Sequence, residues 1–188
     1  MTVLVDEARW EWRGSLWAHL VSDESYAELH ELARSIGKRR LGFQGDHYDI
    51  DTVDRERAID AGAVAVGSRE LVRRLTRSGL RQADAKPRWE SLGTSPPGAA
   101  PARPVAGLRS VGGSGASRLI EAIDHMGALA VAGQTGAWAD PGRLVVLIDF
   151  GPDLEPPSSG ALVELADEVV VGGARVDGDR SVEFFVTR

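Results

Sequence analysis

The chain contains no cysteine, so disulfides, thiolate metal ligands and thiol nucleophiles are excluded, and any metal must be held by histidine and carboxylate. Lysine is nearly missing as well: Lys38 and Lys86 are the only two among 22 basic residues, a bias that reads as codon usage and carries no functional weight. No apolar run approaches the ~18–20 residues needed to span a bilayer. The opening MTVLVDEARW lacks the basic and then apolar pattern of a secretory signal, so a cytoplasmic protein without a membrane partner is expected. Positive charge is in deficit too. A formal charge of −6 and a pI near 5.3 argue against a protein that coats extended nucleic acid, which needs a basic face. Residues 1–90 are nearly balanced, with 16 Asp and Glu against 15 Lys and Arg, so the acidity belongs mainly to the remainder, with 12 against 7.

What is present suffices for packed cores: 188 residues, 43% of them hydrophobic. The stretch ESLGTSPPGAAPARPVAG, residues 90–107, replaces periodic apolar positions with Pro, Gly, Ala and Ser and reads as a linker. It divides the chain into an α/β domain over 1–89 and a second α/β domain over 108–188. In the first, TVLV suits a buried strand ending at Asp6, and LWAHLVS alternates so that Trp17, His19 and Val21 share one face. Tyr26, Leu29, Ala33 and Ile36 fall on a helical stripe, with Ser22 or Asp23 as N-cap and Gly37 past the end. RRLGFQ is expected as a strand, TVDRERAIDA as a short helix, AVAV as a strand, and SRELVRRLTRSG as a helix capped by Ser68. Three or four short strands and three helices result. In the second domain a Gly-rich turn enters a helix, RLVVLIDF is a buried strand, and a short helix through GALVELA precedes two strands around an Asp-Gly turn, a favourable hairpin signal.

The densest chemistry lies in GDHYDID, residues 45–51. Extended, it points His47, Asp49 and Asp51 one way and Asp46 and Tyr48 the other. Histidine and carboxylate on one face orient a general base or hold a divalent ion. The structural alternative is a turn that caps the next helix, and Asp51 fits that role by itself. Trp10, Trp12 and Trp17 either roof a core, the natural role in so small a domain, or line a pocket. His19 shares the Trp17 face, and Asp6 ends the neighbouring strand, so Asp6, His19 and His47 form a trio at strand ends, where α/β sheets place ligand sites. Ser68 and Arg69 open a helix, a position that favours an anion such as phosphate, or else form an ordinary cap beside a solvated arginine. Arg39 and Arg40 precede the GDHYDID segment and can sit beside it. Arg73, Arg74 and Arg77 read as a solvated helix face. SVGGSGASR lacks the spacing of a P-loop or dinucleotide turn, and the lone His125 reads as structural.

The segments MTVLVDEARWEWRGSLWAHLVSD, LHELARSIGKRRLGFQGDHYDI and AGAVAVGSRELVRRL resemble, over about residues 1–82, a bacterial and phage family called domain of unknown function 4031. That family brings no established activity. The resemblance implies that Asp6, Trp10, Trp12, Arg13, His19, His30, His47, Tyr48, Asp49, Ser68, Arg69 and Glu70 belong to one domain pattern. Residues 105–188 resemble no family.

Three functions compete at this point. In the first, the protein is a hydrolase or phosphoester-processing enzyme acting on a nucleotide or other phosphorylated small molecule. His47, His19, Asp6 and Asp49 are then the catalytic set, with His19, His47 and Asp49 as ligands for a divalent metal. Trp10, Trp12, Arg13, Tyr48, Ser68 and Arg69 bind substrate. In the second, the same aromatics stack a base without turnover, a contact worth roughly 1–3 kcal/mol per base. In the third, the polar cluster is structural and the protein acts through a partner.

Overall fold

The computed structural model describes residues 2–12, 14–82, 84–151, 153–155, 162–172 and 180–188. The chain separates into two compact units, Met1–Pro87 and Arg88–Arg188.

The first unit is built on a long central strand. In chain order its elements are β1 (Val3–Val5), β2 (Trp10–Trp12), β3 (Ser15–Ser22), α1 (Tyr26–Ser35), β4 (Tyr48–Asp51), α2 (Thr52–Asp60), β5 (Val64–Ala65) and α3 (Ser68–Arg77). One edge of β3 pairs antiparallel with β2 and then β1, while its other edge takes β4, and β5 adds in parallel to β1. Side-chain alternation divides this mixed sheet into two faces. Val3, Val5, Ala18, Leu20, Tyr48 and Ile50 form the first face and pack against Leu29, Ala33 and Ile36 of the α1 region and Ala58 of α2. On the opposite face Leu4 and Val21 pack against Leu71 and Leu75 of α3. Each such leucine, fully buried, contributes about 1.5–3 kcal/mol. The remainder of that second face carries Trp10, Trp17, His19 and Asp49, which are only half-buried or exposed.

Local differences from the sequence expectations have physical causes. The N-cap of α1 is Ser25, whose hydroxyl accepts from Glu28 N at 3.2 Å, because the Ser22 hydroxyl already accepts from Glu24 N and Ser25 N in the preceding turn. Arg40–Gly42 forms a 3₁₀ turn instead of the expected strand, and only Phe43 bridges to Tyr48. The N-cap of α3 is Gly67, not Ser68, whose side chain is drawn elsewhere.

The second unit comprises β6 (Glu90–Ser95), α4 (Ala102–Val111), α5 (Gly113–Met126), α6 (Ala128–Ala132), β7 (Gln134–Ala139), β8 (Arg143–Phe150), β9 (Glu168–Gly172) and β10 (Arg180–Thr187). Its five strands form an antiparallel sheet in the order β6-β7-β8-β10-β9. One face, with Val146, Ile148 and Phe184, joins Leu108, Leu119 and Ile123 of the helices in a single core. The expected linker at 90–107 is overturned, for it holds β6 and the first turns of α4. Its Pro and Gly have packing roles: Pro104 sits in the first turn of α4, where a missing N–H costs nothing, and Gly107 lies against Leu92, whose carbonyl oxygen is 2.0 Å from where a Cβ would stand. The expected helix through GALVELA is reduced to a 3₁₀ turn at Val163–Leu165. β9 and β10 pair as expected, and the Asp-Gly turn between them lies outside the described residues.

Candidate metal centre

β3 and β4 create the site by register. His19 lies directly opposite Asp49, and the two share the sheet face that α3 leaves partly uncovered. His47 precedes β4 by one residue and alternates onto the same side, so its ring meets that of His19 at 5.4 Å between centroids. One ligand atom from each of His19, His47 and Asp49 lies within 4.8 Å of the other two.

Behind each histidine stands a buried carboxylate. Asp6, at the end of β1, accepts from His19 N at 2.7 Å through Oδ1 and faces His19 Nδ1 at 3.1 Å through Oδ2. Ser68 Oγ donates to the same Oδ2 at 2.8 Å. Asp46 repeats the arrangement: Oδ1 faces His47 Nδ1 at 2.6 Å, while Oδ2 accepts from Gln82 N at 2.8 Å and the Arg81 guanidinium at 3.2 Å. Burial acts to raise the pKa of both aspartates, but the histidine contacts and the further donors outweigh it and hold both below the ordinary value of 3.8. An ionised carboxylate only accepts, so Nδ1 of each ring carries a proton, and in the neutral imidazole it is Nε2 that keeps the lone pair. Carboxylates that fix ring and tautomer in this way support metal-ligating histidines.

Asp49 completes the set. Its Oδ1 is buried without a hydrogen-bond partner among the described residues, and His47 Nε2 stands 3.4 Å away. Burial acts to raise its pKa, yet His47, His19 and Lys86 together hold it below 3.8. The pKa of His19 is raised, first by its hydrogen bond to Asp6, against the effect of burial. The cluster therefore offers two imidazole nitrogens and one carboxylate oxygen, a donor set suited to a divalent transition metal with coordination positions left open.

Trp10 and Trp12 are 45% and 46% exposed, so they do not roof a core. Trp10 stacks on His19 at 6.2 Å and 8°, extending the site outward, while Trp12 and Trp17 meet edge to face at 5.5 Å. Tyr48 does not join the site, contrary to expectation. It is buried on the opposite sheet face, and its hydroxyl meets His30 Nδ1 at 2.9 Å. His30, half-buried and near the Arg40 charge, has its pKa pushed down to about 4, chiefly by desolvation, and belongs to this structural network with Tyr26 and Phe43. Ser68 reaches the site only through Asp6, and its hydroxyl is engaged there instead of facing a phosphate. Arg69 is exposed and makes no hydrogen bond or ion pair with the cluster. Arg13 lies outside the described residues. Asp51 caps α2 by accepting from Asp54 N at 2.9 Å, as expected. A shallow recess of about 280 Å³ lined by Asp23, Glu70, Arg73, Arg74, Arg77 and Ser78 shares no residue with the cluster, and its Arg73 and Arg74 are paired with Glu70 and Asp23.

Asp46 and Arg81 were missed by sequence reasoning. Alternation placed Asp46 on the far face, and it does leave the ligand face; its preference for His47 Nδ1 arises from the turn before β4, for which the sequence carries no signal.

Residues 3–78 match the family model described as protein of unknown function (DUF4031), and no family model matches the second unit. The match contains His19, His47, Asp49, Asp6 and Asp46 and ends before Arg81. No curated protein and no solved structure matches the chain.

Proposed function

We propose that the first unit is a divalent-metal-dependent hydrolase acting on a nucleotide or other phosphorylated small molecule. The observation that carries this reading is the convergence of His19, His47 and Asp49 within 4.8 Å, with both Nδ1 atoms already held by buried aspartates. A divalent ion held there supplies a bound water of lowered pKa and polarises a phosphoryl oxygen. Asp6 and Asp46 keep the two rings oriented, and Asp49 brings a negative charge that offsets part of the charge of a divalent ion. In the reaction, the water oxygen bonds to phosphorus, the P–O ester bond breaks, and the leaving oxygen takes up the proton the water lost. Trp10 offers an exposed indole face beside His19 on which a base can stack.

That same exposed face favours a second reading, a module that binds a nucleotide without turnover. Metal content per chain, measured on tag-free protein purified without chelator, tests the first reading. One divalent ion per chain in the wild type and none in His47→Ala is expected. His47→Ala should also abolish phosphoester turnover while changing fold stability by no more than about 1–2 kcal/mol, since His47 is a site residue and not a core one. A metal-free wild type would sink the proposal, and stoichiometric metal with nucleotide binding but no hydrolysis would favour the binding module.

A further inference from the structure

After α3, residues 80–82 and 84–86 lie beyond the family match and form neither helix nor strand, yet three anchors fasten them to the unit. The Tyr26 hydroxyl donates to Leu80 O at 2.6 Å. Asp46 takes Gln82 N and Arg81. Gly45, at φ +96°, lies so close that a Cβ would stand 2.6 Å from Ala85 O. The last two anchors are the residues immediately before His47, so the segment is seated on the loop that presents a metal ligand.

This seating brings two cations to the cluster. Only Nη1 of Arg81 is engaged by Asp46, and its side chain is 41% exposed. Lys86 is exposed, follows the Ala85 contact directly, and has no hydrogen bond or ion pair among the described residues. The Arg81 charge is felt at His19 and the Lys86 charge at Asp49. Three carboxylates, Asp6, Asp46 and Asp49, surround the two histidines, and an anionic substrate approaching them is repelled unless positive charge is placed at the entrance. Asp84, on the same segment, makes no hydrogen bond or ion pair with the cluster.

We infer, building on the metal reading above, that Arg81 and Lys86 form an anion subsite on the rim of the His19, His47 and Asp49 cluster and take the phosphate group of the substrate. The test uses the full chain, titrated calorimetrically with Mn²⁺ and then with inorganic phosphate. Lys86→Glu reverses one rim charge, which acts with opposite sign on the two ligands. It is expected to weaken phosphate binding by about three- to tenfold and to tighten Mn²⁺ by a similar factor, with Lys86→Gln between it and the wild type. A lysine with a purely structural role would move neither in that paired fashion. Unchanged phosphate affinity with Mn²⁺ still bound overturns the subsite and leaves the metal reading intact. Should the wild type bind no Mn²⁺, the metal reading fails, and phosphate titrated into the metal-free chain decides the subsite: loss in Lys86→Glu sustains it, and equal or absent binding overturns it.

Discussion

Asp46→Asn tests whether the carboxylate behind His47 sets the ligand. The substitution keeps shape and removes one acceptor. Among the described residues, Oδ2 of Asp46 faces two donors, Gln82 N and Arg81, whereas Oδ1 faces only His47 Nδ1. The asparagine carbonyl oxygen is therefore held on the Gln82 side, and its NH₂ turns toward His47 Nδ1. Nδ1 must then accept, which moves the ring proton to Nε2 and removes the lone pair that faces His19 and Asp49. Loss of such a supporting carboxylate costs roughly 10–100-fold in metal affinity, or about 1.4–2.7 kcal/mol. Weaker hydrogen bonds to Arg81 and Gln82 cost the fold about 1–3 kcal/mol in addition. Calorimetric titration with Zn²⁺ reads the first quantity and urea denaturation of metal-free protein the second. If Asp46→Asn binds Zn²⁺ as the wild type does while His47→Ala does not bind it, the tautomer argument is wrong and Asp46 only shapes the loop.

Two further outcomes follow from the buried network on the other sheet face. Tyr48→Phe strips His30 Nδ1 of its partner and should destabilise the first unit by about 1–3 kcal/mol, with metal affinity unchanged; altered metal affinity would mean that Tyr48 reaches the site after all. The depressed pKa of His30, about 4, also sets a pH window. Below the ordinary value of 6.5 the unfolded chain takes up a proton that the folded chain refuses until about pH 4. Stability contributed by neutral His30 is thus complete above that window and is lost as pH falls through it. His19, with a raised pKa, contributes fully below 6.5 and is constant there, and the lowered Asp6, Asp46 and Asp49 act only near and below 3.8. Urea midpoints of metal-free protein should therefore drop between pH 6.5 and pH 5 in the wild type and drop less in His30→Gln; equal drops in both would remove His30 as the cause.

The sequence was most legible where one side-chain pattern answers to one element. Leu29, Ala33 and Ile36 fixed α1 by spacing, and the alternation of LWAHLVS put Trp17, His19 and Val21 on one face, as β3 has them. It misled where composition stood in for packing. The Pro and Gly of residues 90–107 read as a linker, but those residues serve a first helical turn and a close helix–strand approach, roles that depend on what lies opposite. Ser68 read as a cap because its neighbours fit one, whereas its hydroxyl answers to Asp6, 62 positions earlier.

By itself the sequence determined the chemistry available: no thiol, four histidines, and an aspartate-rich loop, so that a metal here has only imidazole and carboxylate to meet. It also determined which side chains share a face within one strand, because that follows from local geometry. Which faces meet was decided by tertiary structure alone. The antiparallel register of β3 on β4 sets His19 against Asp49, the pleat sends Tyr48 into the opposite core, and the chain after α3 returns to seat Ala85 on Gly45 and Arg81 on Asp46. Pairing between distant strands has no local signature, since the hydrogen bonds that fix register are the same backbone groups in every residue.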